Sequence, residues 1–217
     1  MEVYIDLDLV IYNWVPMLQG AIEELVRRGH SLDLINVAIA ECNKEGFTFE
    51  LLLERLHVQY SEAGELAEMF KAILANGRQF VFPGMEEVIA EAAALHTLNL
   101  LSFGHPEFQM MKWAGLKYLH GYFATSRFVV QGGETKGDII RRLTSQHRDV
   151  CFVDDSSDQL MDVLIKAPWA RSVRPMWTGL GLDPHVFDRR EWVVVKSPEE
   201  LGEWIRNLNK EEGDNGR

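Results

Sequence analysis

Cysteine is scarce in this chain. Cys42 and Cys151 are the only two in 217 residues, too few and too far apart for a disulfide framework or a cysteine zinc site. Each reads as a small buried hydrophobe, and a reducing compartment is the simpler expectation. Positive charge is also short: 22 Lys and Arg stand against 33 Asp and Glu, a formal net charge of −11. That balance excludes an extended basic footprint for nucleic acid, though not a local basic pocket for a small anion. No run approaches eighteen uninterrupted apolar residues, and no basic segment followed by an apolar stretch opens the chain, so the expectation is a cytoplasmic protein that neither spans a membrane nor is secreted. Neither a Walker G-x-x-x-x-G-K-[ST] nor a dinucleotide G-x-G-x-x-G is found. Gly132-Gly133 reads as a tight turn ahead of a helix, whose start could still lend N–H groups to an anion.

What is present is an alternation of strand and helix signals broken by one all-helical block. Val3, Tyr4 and Ile5 form a short covered strand that delivers two acids, Asp6 and Asp8, at its carboxyl end. Helical spacing then predicts segments at 17–28, 31–43, 48–58 and 61–75, the third capped by Thr48 and the fourth stopped by Asn76-Gly77. Pro83-Gly84 closes this block. Beyond it the pattern predicts helices at 85–95, 106–118, 136–145, 158–167 and 198–208, with strands at 96–102, 127–130, 150–153, 170–174 and 192–195.

Such an alternation predicts an α/β fold, a doubly wound and mostly parallel Rossmann-like sheet covered on both faces. The helical block is expected as an insertion over the carboxyl ends of the strands, the edge where open α/β sheets bind ligands. The expected organisation is a core of residues 1–15 and 80–210, a helical cap of 16–79, and a polar tail of 211–217.

Chemistry collects at the strand ends. Asp6 and Asp8 follow the first strand, Ser102 ends the second, and Asp154-Asp155 end another apolar strand, while Lys136 opens a helix between them. Four carboxylates at close quarters call for a compensating cation, and hard oxygen donors without thiolates or paired histidines favour Mg²⁺.

This arrangement resembles the haloacid dehalogenase superfamily, in particular its magnesium-dependent phosphatases. The matching segments are Asp6-Leu7-Asp8-Leu9-Val10, Leu100-Leu101-Ser102, Lys136 within Thr135-Lys136-Gly137-Asp138, and Phe152-Val153-Asp154-Asp155 followed by Asp158. Phe82-Pro83-Gly84-Met85 resembles the family's return from its cap into the core. The resemblance implies an Mg²⁺-dependent phosphomonoester hydrolase acting on a small phosphorylated metabolite, with Asp6 as nucleophile through an aspartyl phosphate and Asp8 as general acid and base. Ser102 would bind a phosphoryl oxygen and Lys136 neutralise the phosphate. Asp6, the backbone carbonyl of Asp8, Asp155 and Asp154 would hold the metal.

Tyr12, Asn13 and His105 are further candidates for contact with substrate or cap, and Trp14 for packing between cap and core. Two other readings stay open: a phosphomutase-type transfer on a sugar phosphate, and a non-catalytic binding or regulatory protein on the same core. Dehalogenation is disfavoured by Asp8. The chain departs from the common family pattern at Leu9, where many members have Gly, at Phe103-Gly104, where many have Asn after the Ser or Thr, and in the early spacing of Asp158. The remaining tryptophans read as packing, and Arg141 and Arg142 as a solvated helix face.

Overall fold

A computed structural model describes residues 1–130, 132–144, 149–177 and 192–208. Gln131, Ser145, Arg189, Arg190 and the 211–217 tail lie outside these residues. Six parallel strands make one sheet in the order β3-β2-β1-β4-β5-β6. They are β1 (Glu2–Ile5), β2 (Thr97–Phe103), β3 (Phe123–Val129), β4 (Val150–Val153), β5 (Arg171–Pro175) and β6 (Val193–Val195).

The order runs outward from β1 in one direction and restarts at β4 in the other, so β1 and β4 flank the point where the winding reverses. A crevice opens at such a point, at the carboxyl ends of the strands. Asp6 follows β1 and Asp154 follows β4, which is why these two acids meet.

Alternation along the central strands divides the core into two layers. Val3 and Ile5 of β1, Leu98 and Leu100 of β2, and Cys151 and Val153 of β4 face one layer. Tyr4, Leu101, Val150 and Phe152 face the other. The first layer is covered by α5 (Met85–Leu95) and α9 (Pro198–Asn207), the second by α7 (Lys136–Leu143) and α8 (Ser157–Lys166). Because β1 and β4 are buried on both faces, their sequences are nearly unbroken apolar runs.

Between β1 and α5 the chain forms α1 (Trp14–Arg27), α2 (Leu32–Glu45), α3 (Phe49–Arg55) and α4 (Tyr60–Ala75). Each buries one stripe: Met17, Ala21 and Leu25 on α1; Leu66, Phe70 and Leu74 on α4. Thr48 caps α3 by accepting from the Leu51 N–H. The block meets the sheet unit through aromatic rings. Phe49 stacks on Phe70 at 4.1 Å and lies edge-on to Phe108 of α6 (Pro106–Ala114) at 5.5 Å.

Three segments differ from the sequence reading. The helix expected over 106–118 ends at Ala114, and a 3₁₀ turn follows at Lys117–Tyr122. Gly115 sits so close to the end of α4 that a Cβ there would lie 2.1 Å from the Leu74 carbonyl oxygen and 3.2 Å from the Gly77 nitrogen, so the chain must turn away. The strand expected at 127–130 begins earlier, at Phe123, because Ala124, Thr125 and Ser126 are exposed on an edge strand and carry no apolar signal. A short 3₁₀ helix at Gly77–Phe80 joins the block back to the sheet unit.

Candidate active site

Asp6 and Asp154 are set by the backbone before their side chains do anything. The Asp6 N–H donates to Val153 O at 2.9 Å and the Asp154 N–H to Val173 O at 3.1 Å, extending the ladder one residue past each strand. Their carboxylates converge on one ammonium: Lys136 Nζ donates to Asp6 Oδ1 at 2.8 Å and to Asp154 Oδ2 at 2.6 Å. Asp154 Oδ1 accepts from the Ser156 N–H. All three side chains are buried.

Lys136 is the first residue of α7. Thr135 caps that helix in a capping box with Asp138. The glycine turn before it places Gly132 at φ +77°, and at Gly133 a Cβ would meet Val130 at 2.9 Å. Gly137 packs so tightly on α8 that a Cβ would come within 2.7 Å of the Asp162 carbonyl oxygen, and its N–H donates to Asp162 Oδ2.

Asp155 joins this set. One carboxylate oxygen from each of Asp6, Asp154 and Asp155 lies within 4.8 Å of the others, a cluster able to hold a metal ion. Burial pushes Asp6 up to about 7, against the pull of Lys136 and with help from Asp154 and Asp8. Burial first, then Asp154 and Asp6, push Asp155 up to about 8. For Lys136 burial works against the charged form, but Asp154 and Asp6 outweigh it and hold the ammonium above its usual range. One lysine against three acids leaves unbalanced negative charge, and hard carboxylate oxygens suit Mg²⁺, so the residues fit such an ion.

Asp8 is handled differently. It leaves the strand on a tight turn in which the Ile11 and Tyr12 N–H groups donate to Leu7 O and the Leu9 N–H to Tyr12 O. Leu9 takes φ +57°, a left-handed conformation that L side chains rarely adopt and that glycine enters freely. The position where family members often carry Gly is therefore one where the backbone asks for it, and here a leucine complies. The Asp8 carboxylate accepts from Lys112 Nζ at 2.6 Å and 2.5 Å and from Gln109 Nε2 at 2.8 Å.

Neither Lys112 nor Gln109 was read from the sequence as a site residue. In sequence the apolar positions of the 106–118 segment include Phe108, Met111, Trp113 and Leu116, whereas the buried residues of α6 are Phe108, Gln109, Lys112 and Trp113. The available signal is a polar pair three residues apart between two aromatics, starting seven residues after Ser102.

Ser102, the last residue but one of β2, is fully buried, and its Oγ makes no hydrogen bond among the described residues. A buried hydroxyl without a partner at a strand end is suited to an incoming acceptor such as a phosphoryl oxygen. Asp158 is exposed in the first turn of α8, apart from the acidic cluster.

Of the candidates for contact with substrate or cap, each lies against the helical block. Tyr12 is completely buried, its hydroxyl on Met17 Sδ at 3.6 Å and its ring against Phe80 at 5.6 Å, so in this conformation it packs rather than facing a ligand. Asn13 is the N-cap of α1, its Oδ1 accepting from the Val15 N–H. His105 lies in a cavity of about 340 Å³ between α3 and α6, with Thr48, Glu50, Glu54 and Glu107 among its lining. Trp14 is half-buried against the core.

No protein-family profile and no curated protein sequence matches the chain. Solved structures do. A haloacid dehalogenase-like hydrolase from Burkholderia xenovorans superposes with a TM-score of 0.73 at 16% identity, over 93% of this chain and 97% of that one. A haloacid dehalogenase-like family hydrolase from Xanthomonas campestris gives 0.67 at 14% identity, over 98% and 97%. The HAD-hydrolase YfnB from Bacillus subtilis, solved bound to magnesium, gives 0.62 at 14%, over 94% and 97%. At these identities it is the architecture that is shared, and the six-stranded parallel sheet with helices on both faces is the haloacid dehalogenase-like fold.

Proposed function

We propose that the chain is a hydrolase of the haloacid dehalogenase superfamily, and within it an Mg²⁺-dependent phosphomonoester hydrolase for a small phosphorylated metabolite. The observation that carries this reading is Lys136 clamped between Asp6 and Asp154, with Asp155 within 4.8 Å, at the reversal point of the sheet. Asp6, the backbone carbonyl of Asp8, Asp154 and Asp155 would hold the metal. When bound, Mg²⁺ supplies positive charge that binds phosphoryl oxygens beside Asp6.

The rest belongs to the chain's own residues. A carboxylate oxygen of Asp6 attacks phosphorus, forming the aspartyl phosphate as the bond to the ester oxygen breaks. Asp8 gives the departing oxygen its proton, then takes one from the water that cleaves the aspartyl phosphate, releasing inorganic phosphate and restoring Asp6. Lys136 compensates the charge that collects on the phosphoryl group, and Ser102 Oγ donates to one of its oxygens. Helices α1–α4 act as the cap that encloses the ligand, with selectivity drawn from their inner face.

The test is phosphate release from a panel of phosphorylated metabolites, with Mg²⁺ and with a chelator. Turnover that requires the ion and vanishes in Asp6→Asn is expected. No release across the panel, or substantial activity left in Asp6→Asn, would overturn the reading.

A further inference from the structure

The stretch after Ser102 builds a holder for Asp8. Lys112 Nζ reaches both carboxylate oxygens, at 2.6 Å and 2.5 Å, and Gln109 Nε2 adds a bond to Oδ2 at 2.8 Å. Three bonds from two directions fix both the plane of the carboxylate and its rotation. The holder is itself held. Gln109 Nε2 also donates to Phe103 O at 3.1 Å, and Lys112 Nζ sits 4.9 Å from the centre of the Phe108 ring. Gly104 leaves room for the amide, since a Cβ there would come within 2.5 Å of Gln109 Nε2.

The exposures decide what the lysine is for. The Asp8 side chain keeps 22% of its surface open and can be hydrated, whereas Lys112 keeps 2%. Burying an ammonium to partner an acid that water already reaches gains little stability. Orientation is what the pair supplies.

We propose that Lys112, seated by Gln109 and Phe108, is a positioning residue that fixes the Asp8 side chain for both of its proton transfers, to the leaving oxygen and from the attacking water. The inference rests on the phosphatase reading, in which Asp8 carries those protons. Its kinetic signature is selective in the first step alone, because an alkyl leaving group needs the proton and p-nitrophenolate does not, whereas hydrolysis of the aspartyl phosphate is the same reaction for both esters.

Lys112→Met should lower the single-turnover rate of alcohol release from the best alkyl phosphate of the panel by about 100-fold, with KM moved less than about threefold, and slow the burst of p-nitrophenolate from p-nitrophenyl phosphate less than about fivefold, while the later hydrolysis of the aspartyl phosphate slows alike with both. Lys112→Arg should recover about a tenth of the wild-type rate or more. In an Asp8→Asn background the same change should add little, since both act through one group. Equal losses on the two esters in the leaving-group step, or losses that add in the double variant, would overturn the proposal.

Gln109→Leu leaves the lysine in place and should show the same preference for the aryl ester in weaker form. Crystal structures of both variants read the device without turnover: an Asp8 side chain turned or spread over several rotamers is expected, and an unmoved one overturns the proposal. If the wild-type protein hydrolyses no ester, the phosphatase reading fails, while the structures still decide whether Lys112 positions Asp8.

Discussion

Asp6 and Asp8 stand two residues apart and are held by different means. Asp6 remains in the sheet ladder, is fully enclosed, and shares its lysine with Asp154. Asp8 has left the ladder on a turn strained at Leu9, keeps contact with water, and has a lysine to itself. On the Asp6 side the cation prevents repulsion between acids that topology forces together. On the Asp8 side no second acid among the described residues is pressed against the lysine, and the bonds set an angle instead. The same residue pair, lysine on aspartate, thus does compensation in one place and alignment in the other.

The comparison breaks most sharply at Asp6 itself. Asp6→Asn should lower turnover by at least about 10⁴-fold, measured in single-turnover assays that exclude trace wild-type enzyme, because no neighbour can supply the bond to phosphorus.

The lysines come next. Lys136→Met leaves Asp6 and Asp154 facing each other in a dry site and should cost about 3–5 kcal/mol in urea unfolding. Lys112→Met, beside an acid that water reaches, should cost about 1 kcal/mol or less. Equal losses would show that the two pairs do the same work.

Metal removal gives the third test. Asp6 and Asp155 are raised to about 7 and about 8, so without a metal ion they keep protons that the unfolded chain gives up around pH 4. The native state then binds more protons than the unfolded state, and stability falls as pH rises through that window to about pH 8. Thermal unfolding with a chelator should show Tm declining from pH 5 to pH 8 by several degrees, and millimolar Mg²⁺ should remove most of the decline. A flat profile would mean that the cluster does not carry the shifts described.

The smallest effect sits on the Asp8 turn. At an ordinary buried leucine, glycine is a worse replacement than alanine. At Leu9, where φ is +57°, the order should invert, with Leu9→Gly more stable than Leu9→Ala by about 1 kcal/mol in urea unfolding.

Legibility in the sequence followed the same division. The Asp6 side was readable because each part is local: an apolar run that stops at an acid, a glycine turn, a capped helix opening on Lys136. Parallel strands buried on both faces announce themselves in this way, and the doubly wound sheet followed from them. The Asp8 side was not. Lys112 and Gln109 lie on a helix face whose apolar spacing suggested a different set of inward residues, and nothing local tells a buried lysine from a surface one. β3 was read short because an edge strand has little apolar pattern to show. The burial of Tyr12 was not legible because the turn that folds it inward depends on bonds between backbone groups, which side-chain identity does not encode.

The seam at Gly77 and Gly115 has a mechanical consequence. There the backbone at the end of α4 meets the backbone of Gly115 at the end of α6, with the Leu116 side chain alongside. Side-chain contacts elsewhere in the interface have rotamers to yield with, whereas this one has none. It is the stiff point of the joint between the four helices and the sheet, the natural fulcrum for any tilt of one against the other. A single methyl group at position 115 would act as a wedge between the end of α4 and the last turn of α6, the turn that carries Lys112.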